Sequence, residues 1–192
     1  GNFLWEREDE VVEDLNAVQF VLFNLISIVI EYPNRLSGQL QARVKQSIRL
    51  GLEEIKRIDV HPAYTNIVLK DITNSCLGGE WLKETQIAER GYDKLCRWMA
   101  FTDQNGIPSE FNSPNYMNVA VRVLKRLVDS VKHVESRIRA RTMLQRLGLS
   151  AVLHIHPSTG RWAGPYSRAY RPAVFCEVAP EIEMVKDWLT DE

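Results

Sequence analysis

Glu110-Phe111-Asn112-Ser113-Pro114-Asn115-Tyr116-Met117-Asn118-Val119 reads as the mouth of a helix with polar chemistry gathered on it. Ser113 is a capping residue, and Pro114 suits the first helical position because its missing N–H would be unpaired there anyway. Tyr116 and Asn118 then fall in the first turns, at the partially positive end of the helix. The order Pro, any, Tyr, any, Asn, aliphatic also occurs at Pro62, Tyr64, Asn66 and Ile67. A weaker echo follows at Gly164-Pro165-Tyr166-Ser167, where the tyrosine is one place closer and no asparagine follows. The echoes lie roughly fifty residues apart, and counting one period back from Pro62 reaches Glu10, where the first long apolar-periodic segment begins. A period of this size that holds two helical segments predicts a stacked array of helical hairpins.

Outward from that stretch, the periodicity predicts helices over 9–32, 38–57, 62–77, 83–103, 114–131 and 134–153. The middle of the first is apolar nearly all round, as in an inner helix enclosed by others, whereas 38–57 carries one apolar stripe and a wet side; inner and outer helices are read as alternating three times. In 38–57 the stripe is Leu40, Val44, Ile48, Leu52 and Ile55, and in 83–103 it is Ile87, Leu95, Trp98 and Met99. Gly78-Gly79 is expected to close the third helix and Asn105-Gly106 to turn the chain after the fourth. From His154 to Pro172 the chain is rich in proline, glycine and arginine, which predicts a long loop of the kind that often carries function. A short amphipathic helix is expected over 180–189. The fold expected is all-α, an (α/α) array of about three hairpins in one domain over 1–192, equivalent to a partial toroid.

Composition excludes several classes. The chain has 192 residues, 45% of them hydrophobic, with 24 basic and 25 acidic side chains and a net charge of −1. That balance supplies no field for nucleic acid or an anionic membrane, so neither is expected as a partner. The most apolar run, 17–30, is broken by Gln19, Asn24 and Ser27 and is shorter than the roughly 20 residues that span a bilayer. Cys76, Cys96 and Cys176 are odd in number and widely spaced, which argues against a disulfide framework or a structural zinc site. The chain opens on Gly1-Asn2-Phe3 with no signal-peptide pattern; it is expected to be a processed or excised piece, and its compartment is left open. G-x-x-x-x-G-K-[ST], G-x-S-x-G, H-E-x-x-H and a G-x-G-x-x-G after a strand are missing, so nucleotide, serine-hydrolase, zincin and dinucleotide readings lack support. Glycoside hydrolysis needs a carboxylate pair, and only Glu110 falls in the expected cleft.

If the inner helices start at one end of the array, Tyr64, Asn66, Asn112, Tyr116 and Asn118 converge there with the loop after His154. Through 110–116 and the loop Gly164-Pro165-Tyr166-Ser167-Arg168-Ala169-Tyr170, the chain resembles the (α/α)-toroid polysaccharide lyases and related heparinase- or alginate-lyase-like helical domains over about 59–170. The resemblance implies β-elimination on an anionic, uronic-acid glycan without a cofactor. In that role Asn112 would neutralise the uronate carboxylate, Tyr116 would be the catalytic tyrosine, and His154, His156 or Tyr166 the second proton carrier. Tyr64, Asn66, Asn118, Arg161, Arg168 and Tyr170 would bind substrate. Where the family pattern has histidine in the 164–170 loop this chain has Tyr166, which rearranges or removes half of the acid/base pair. The physical case is separate: a proton beside a carboxylate becomes removable only if the developing dianion is hydrogen-bonded, and a nearby cation lowers a tyrosine's pKa.

Plain structural roles stand beside each assignment. Asn112 and Ser113 form a helix cap, Tyr64 and Tyr116 pack between hairpins, and the loop arginines bind helix carbonyls. Glu110 either orients a partner or is an ordinary exposed carboxylate. His154 and His156 share a face only if the segment is extended, and a metal pair needs a third ligand that the sequence does not identify. On this second reading the chain is a non-catalytic helical-repeat module that binds a protein or glycan. The open ends of a half-ring expose apolar surface, so self-association is expected.

Overall fold

The computed structural model describes residues 2–4, 11–159 and 161–168. The sequence readings at Glu10, Tyr170, Cys176 and 180–189 lie outside the described residues. Within them the chain is all-α, a stack of helical hairpins: α1 (Ala17–Glu31), α2 (Gly38–Ile58), α3 (Thr65–Leu82), α4 (Thr85–Asn105), α5 (Pro114–Ser130) and α6 (Val134–Leu153). A two-stranded antiparallel hairpin follows, β1 (Ile155–His156) and β2 (Arg161–Trp162), with Ile155 opposite Trp162. Inner helices α1, α3 and α5 pack side by side, and α2, α4 and α6 lie outside them. Inner helices begin at 17, 65 and 114 and outer ones at 38, 85 and 134, so each recurs at a period of roughly fifty residues.

Several boundaries differ from the sequence expectation. α1 starts at Ala17 because the Asp14 carboxylate takes the Asn16 N–H (2.8 Å) in a turn that competes with helix. α3 starts after Tyr64, whose N–H closes a turn onto the His61 carbonyl (3.0 Å). It then runs through Gly78-Gly79 to Leu82. Those glycines are packing positions: a Cβ on Gly79 would lie 2.5 Å from the Ala88 backbone nitrogen, and one on Gly78 would lie 2.8 Å from Leu52 Cδ1. From the facing helix, a Cβ on Gly91 would lie 2.6 Å from the Cys76 nitrogen, so α3 and α4 approach backbone to backbone. Gly106 does end α4, in the left-handed region at φ 75°. The two Pro-x-Tyr-x-Asn motifs are out of register: Tyr64 is the N-cap of α3, whereas Tyr116 is the third residue of α5. The third echo, around Tyr166, follows the hairpin and starts no helix among the described residues.

α3 is the axis of the molecule. Apart from Glu80 and Trp81 its residues are buried, because α1, α2, α4 and α5 all pack on it. Its apolar residues join Val18, Leu22 and Ile26 of α1, Ile48, Leu52 and Ile55 of α2, Leu95 and Trp98 of α4, and Leu124 and Leu127 of α5 in one core. Leu40, expected on the buried stripe of α2, is exposed. Arg126 of α5 pairs with Glu31 at the end of α1, bridging the inner layer. Glu80 accepts N–H bonds from Lys132 (2.9 Å) and His133 (3.1 Å), and so closes the turn between α5 and α6. Cys76 is buried and Cys96 partly so, and both are free thiols.

The Asp71 carboxylate is fully buried, with no exposed surface. It accepts from Arg90 Nη1 (2.6 Å) and Lys94 Nζ (2.7 Å), both on α4, and both cations reach on to Asp59, the left-handed C-cap of α2 (2.8 and 2.6 Å). Removing one partner of such a cluster strands the rest without compensation. Asp71→Asn is therefore expected to lower the free energy of unfolding by about 3–5 kcal/mol in urea titration, well beyond the loss of one exposed ion pair. The bond from Lys94 also holds the Asp59 carboxyl below its ordinary value of 3.8. Its stabilising contribution is thus present above that value and is lost as pH falls through the lower folded-state value. Asp59→Asn should flatten the acid limb of the stability curve, read as unfolding midpoint against pH.

Candidate functional site

A cleft of about 380 Å³ opens at the N-terminal ends of the three inner helices. Asp14, Asn16 and Phe20 line it from α1 and its lead-in, Tyr64, Asn66, Ile67 and Lys70 from α3, and Asn115, Tyr116 and Val119 from α5. The inner layer is tied at its other end by Glu31 and Arg126. The convergence read from the sequence thus holds for Tyr64, Asn66 and Tyr116. The register shift between the two motifs is close to one helical turn, so both tyrosines reach the same mouth.

Asn66 in the lining is held by Glu110, which does not itself line the cleft. Glu110 accepts the Asn66 backbone N–H (2.8 Å) and its side-chain Nδ2 (2.9 Å), placing a carboxylate on the open N-terminus of α3. Asn66 Oδ1 is buried and has no hydrogen-bond partner among the described residues. Arg168 pairs with Glu110, and its guanidinium lies over the Tyr116 ring, 4.1 Å from the centroid. Burial pushes the Glu110 carboxyl above its ordinary range, against the Asn66 N–H, Arg168 and Lys70, which favour the charged form.

Lys70, which sequence reasoning passed over, is the cation that lines the cleft among the described residues. It is 6% exposed, its Nζ lies 4.5 Å from the Phe20 ring centroid, and its hydrogen bond runs 3.4 Å to the Asn66 carbonyl one turn back. Among the described residues no carboxylate lies within ion-pair distance of it. Burial, aided by the like charge of Arg122 and opposed by Glu110, brings its pKa down to about 8. The signal was present: a lysine within Ile67-Val68-Leu69-Lys70-Asp71-Ile72, on a helix read as an inner one, has no wet face to occupy.

The remaining candidates lie elsewhere. Asn112 sits at φ 49° with its amide fully engaged, donating to the carbonyls of Ala163 (3.2 Å) and Pro165 (2.6 Å) and accepting from Trp162 Nε1 (2.6 Å). It pins the hairpin and does not line the cleft. Ser113 caps α5. Asn118 lies on α5 outside the lining, which draws Asn115, Tyr116 and Val119 from that helix. His154 bonds the Ser150 carbonyl (2.7 Å) through Nδ1, stacks on Trp162, and borders a different, mainly apolar cleft with Ile107, Phe111, Leu149 and Leu153. His156, in β1, meets Thr159 Oγ1 (3.0 Å), and Arg161 is opposite it in β2. The Tyr166 hydroxyl donates to the Trp162 carbonyl (2.5 Å). Tyr116 and the proposed proton carriers His154, His156 and Tyr166 are therefore not gathered in one cleft. Among the described residues no group of three or more His, Cys, Asp or Glu is placed to hold a metal, and no helix is long and apolar enough to cross a membrane.

Asn112→Ala removes three side-chain hydrogen bonds and puts a residue with no side-chain oxygen at a left-handed position, so it is expected to lower stability by about 2–4 kcal/mol and to expose Trp162. A red-shifted tryptophan emission before global unfolding would register that exposure. No curated protein and no solved structure matches the chain. A family model matches residues 10–177, and the chain belongs to the family described as a domain of unknown function, DUF8769.

Proposed function

We propose that the cleft at the inner-helix N-termini binds a small organic anion, with a uronic-acid unit of a glycan as the ligand class. The observation that carries this reading is Lys70, a buried lysine that lines the cleft with no carboxylate within ion-pair distance among the described residues. Lowering a lysine from 10.5 to about 8 costs on the order of 3 kcal/mol at neutral pH. A group held at that cost, inside a cleft and not in a closed core, marks a site that uses its charge. The N-terminus of α5 adds positive potential, that of α3 being already met by Glu110, and Phe20 and Tyr64 offer flat apolar surface for a sugar ring.

A second reading keeps the chemistry of β-elimination. It is favoured by Tyr116, which faces the same cleft and has the Arg168 guanidinium against its ring. In this form Lys70 replaces Asn112 as the group that offsets the substrate carboxylate, and the Tyr116 hydroxyl moves the proton. Appearance of the ultraviolet-absorbing unsaturated product from uronic-acid polysaccharides, abolished in Tyr116→Phe, is its expected signature. Binding that survives in that variant without product formation in either protein leaves the binding module alone.

Lys70→Met separates function from stability. The Lys70 pKa is lower in the folded chain than in the unfolded one, so its penalty is full below pH 8 and is relieved as pH rises toward 10.5. The variant should be more stable than the parent by about 1–3 kcal/mol at neutral pH, with the gain shrinking through that window. It should also lose calorimetric binding of glucuronate and galacturonate, with glucose and galactose inert toward both proteins. Equal uronate binding by variant and parent would refute the assignment.

A further inference from the structure

Two lysines are buried among the described residues, and they are held in opposite ways. Lys94 is clamped between Asp59 (2.6 Å) and Asp71 (2.7 Å) and lines no described cleft. Lys70 opens on a cleft of about 380 Å³, against an aromatic ring, with no carboxylate in ion-pair distance among the described residues. An amine in apolar surroundings that a ligand can reach is the arrangement in which lysine becomes a nucleophile.

We propose that Lys70 is a nucleophilic amine that forms a reversible imine with a carbonyl-bearing organic anion, such as a 2-oxo acid, taken into this cleft. The inference rests on the reading that the cleft accepts organic anions, and it adds a covalent step. The ligand carboxylate is drawn to the N-terminal turn of α5, whose Asn115 and Tyr116 line the cleft, and away from the Asp14 carboxylate in the lining and from Glu110 on the N-terminus of α3. The carbonyl carbon is then presented to Nζ. The nitrogen lone pair forms the C–N bond while the carbonyl oxygen gains a proton, giving a carbinolamine. Loss of that hydroxyl as water, with the remaining proton leaving nitrogen, gives the C=N bond, and nothing is oxidised or reduced. With a pKa of about 8, roughly a tenth of Lys70 is neutral at pH 7, whereas lysines at ordinary values are almost wholly charged.

The test is reductive trapping on the intact chain. The native protein is incubated with glyoxylate and cyanoborohydride, and the adduct is mapped by peptide mass spectrometry, with acetaldehyde as the carbonyl probe that has no charge. The expected result is one dominant adduct on Lys70, formed about 10-fold faster than on exposed lysines, faster with glyoxylate than with acetaldehyde, and absent from Lys94. The map needs no variant, and Lys70→Arg should erase the dominant adduct while the background stays. Labelling spread over exposed lysines with Lys70 unmodified would overturn the proposal. If uronates bind in calorimetry but Lys70 is not trapped, the covalent step fails and the binding assignment stands. If acetaldehyde labels Lys70 as fast as glyoxylate, recognition of the anion fails.

Discussion

A helix enclosed on all sides has to settle the polar groups it carries against its neighbours, and α3 does so for four of its side chains one residue at a time. Asn66 reaches Glu110 ahead of α5, Asp71 reaches Arg90 and Lys94 on α4, Asn74 donates to the Gln19 carbonyl on α1 (3.0 Å), and Glu80 takes the N–H groups between α5 and α6. Each bond goes to a different element, so together they specify which helix lies on which side of α3. Apolar contact alone would tolerate sliding and rotation of the same helices; directional bonds do not. The close approach at Gly79 and Gly91 belongs to the same constraint, since the Asp71 cluster can form only if α4 lies this near.

Lys70 departs from that pattern, bonding only back within its own helix to the Asn66 carbonyl among the described residues. It occupies the same enclosed helix as Asp71, one residue earlier, yet turns toward the mouth of the inner layer and has no carboxylate in ion-pair distance among the described residues. Two adjacent charged residues thus take opposite roles. Asp71, facing α4, meets two cations and locks the core, whereas Lys70, about 100° further round the helix, meets the cleft. The charge that stabilises and the charge that is available are separated by one step of helical geometry.

The loop after α6 has a structural task that its composition hides. Asn112 holds Trp162, Ala163 and Pro165, the Ser167 hydroxyl donates to the Phe111 carbonyl, and Arg168 reaches Glu110, so 161–168 are stitched to the segment that opens α5. Through Arg168 this stitching delivers a cation to the ring of Tyr116 at the edge of the cleft. A loop rich in arginine and proline is here a brace with one functional corner.

The hairpin array was legible in the sequence: helical periodicity, caps such as Ser113, and a recurrence of roughly fifty residues are local signals, and they place six helices in alternating inner and outer layers. So was the meeting of Tyr64, Asn66 and Tyr116, because residues near the starts of inner helices must share an end of the stack. The role of Gly78-Gly79 was not legible, because a pair that ends one helix admits a neighbouring backbone in another, and only the position of Ala88 decides between them. Nor was the engagement of Asn112 or the separation of His154 from Tyr116, since both depend on how a loop fifty residues downstream folds back. Lys70 shows the division most sharply. Its presence inside an inner helix could be read from the chain, but whether it meets a carboxylate, as Lys94 does, or a cleft is set by which neighbours surround it, and that information belongs to the packing of distant segments alone.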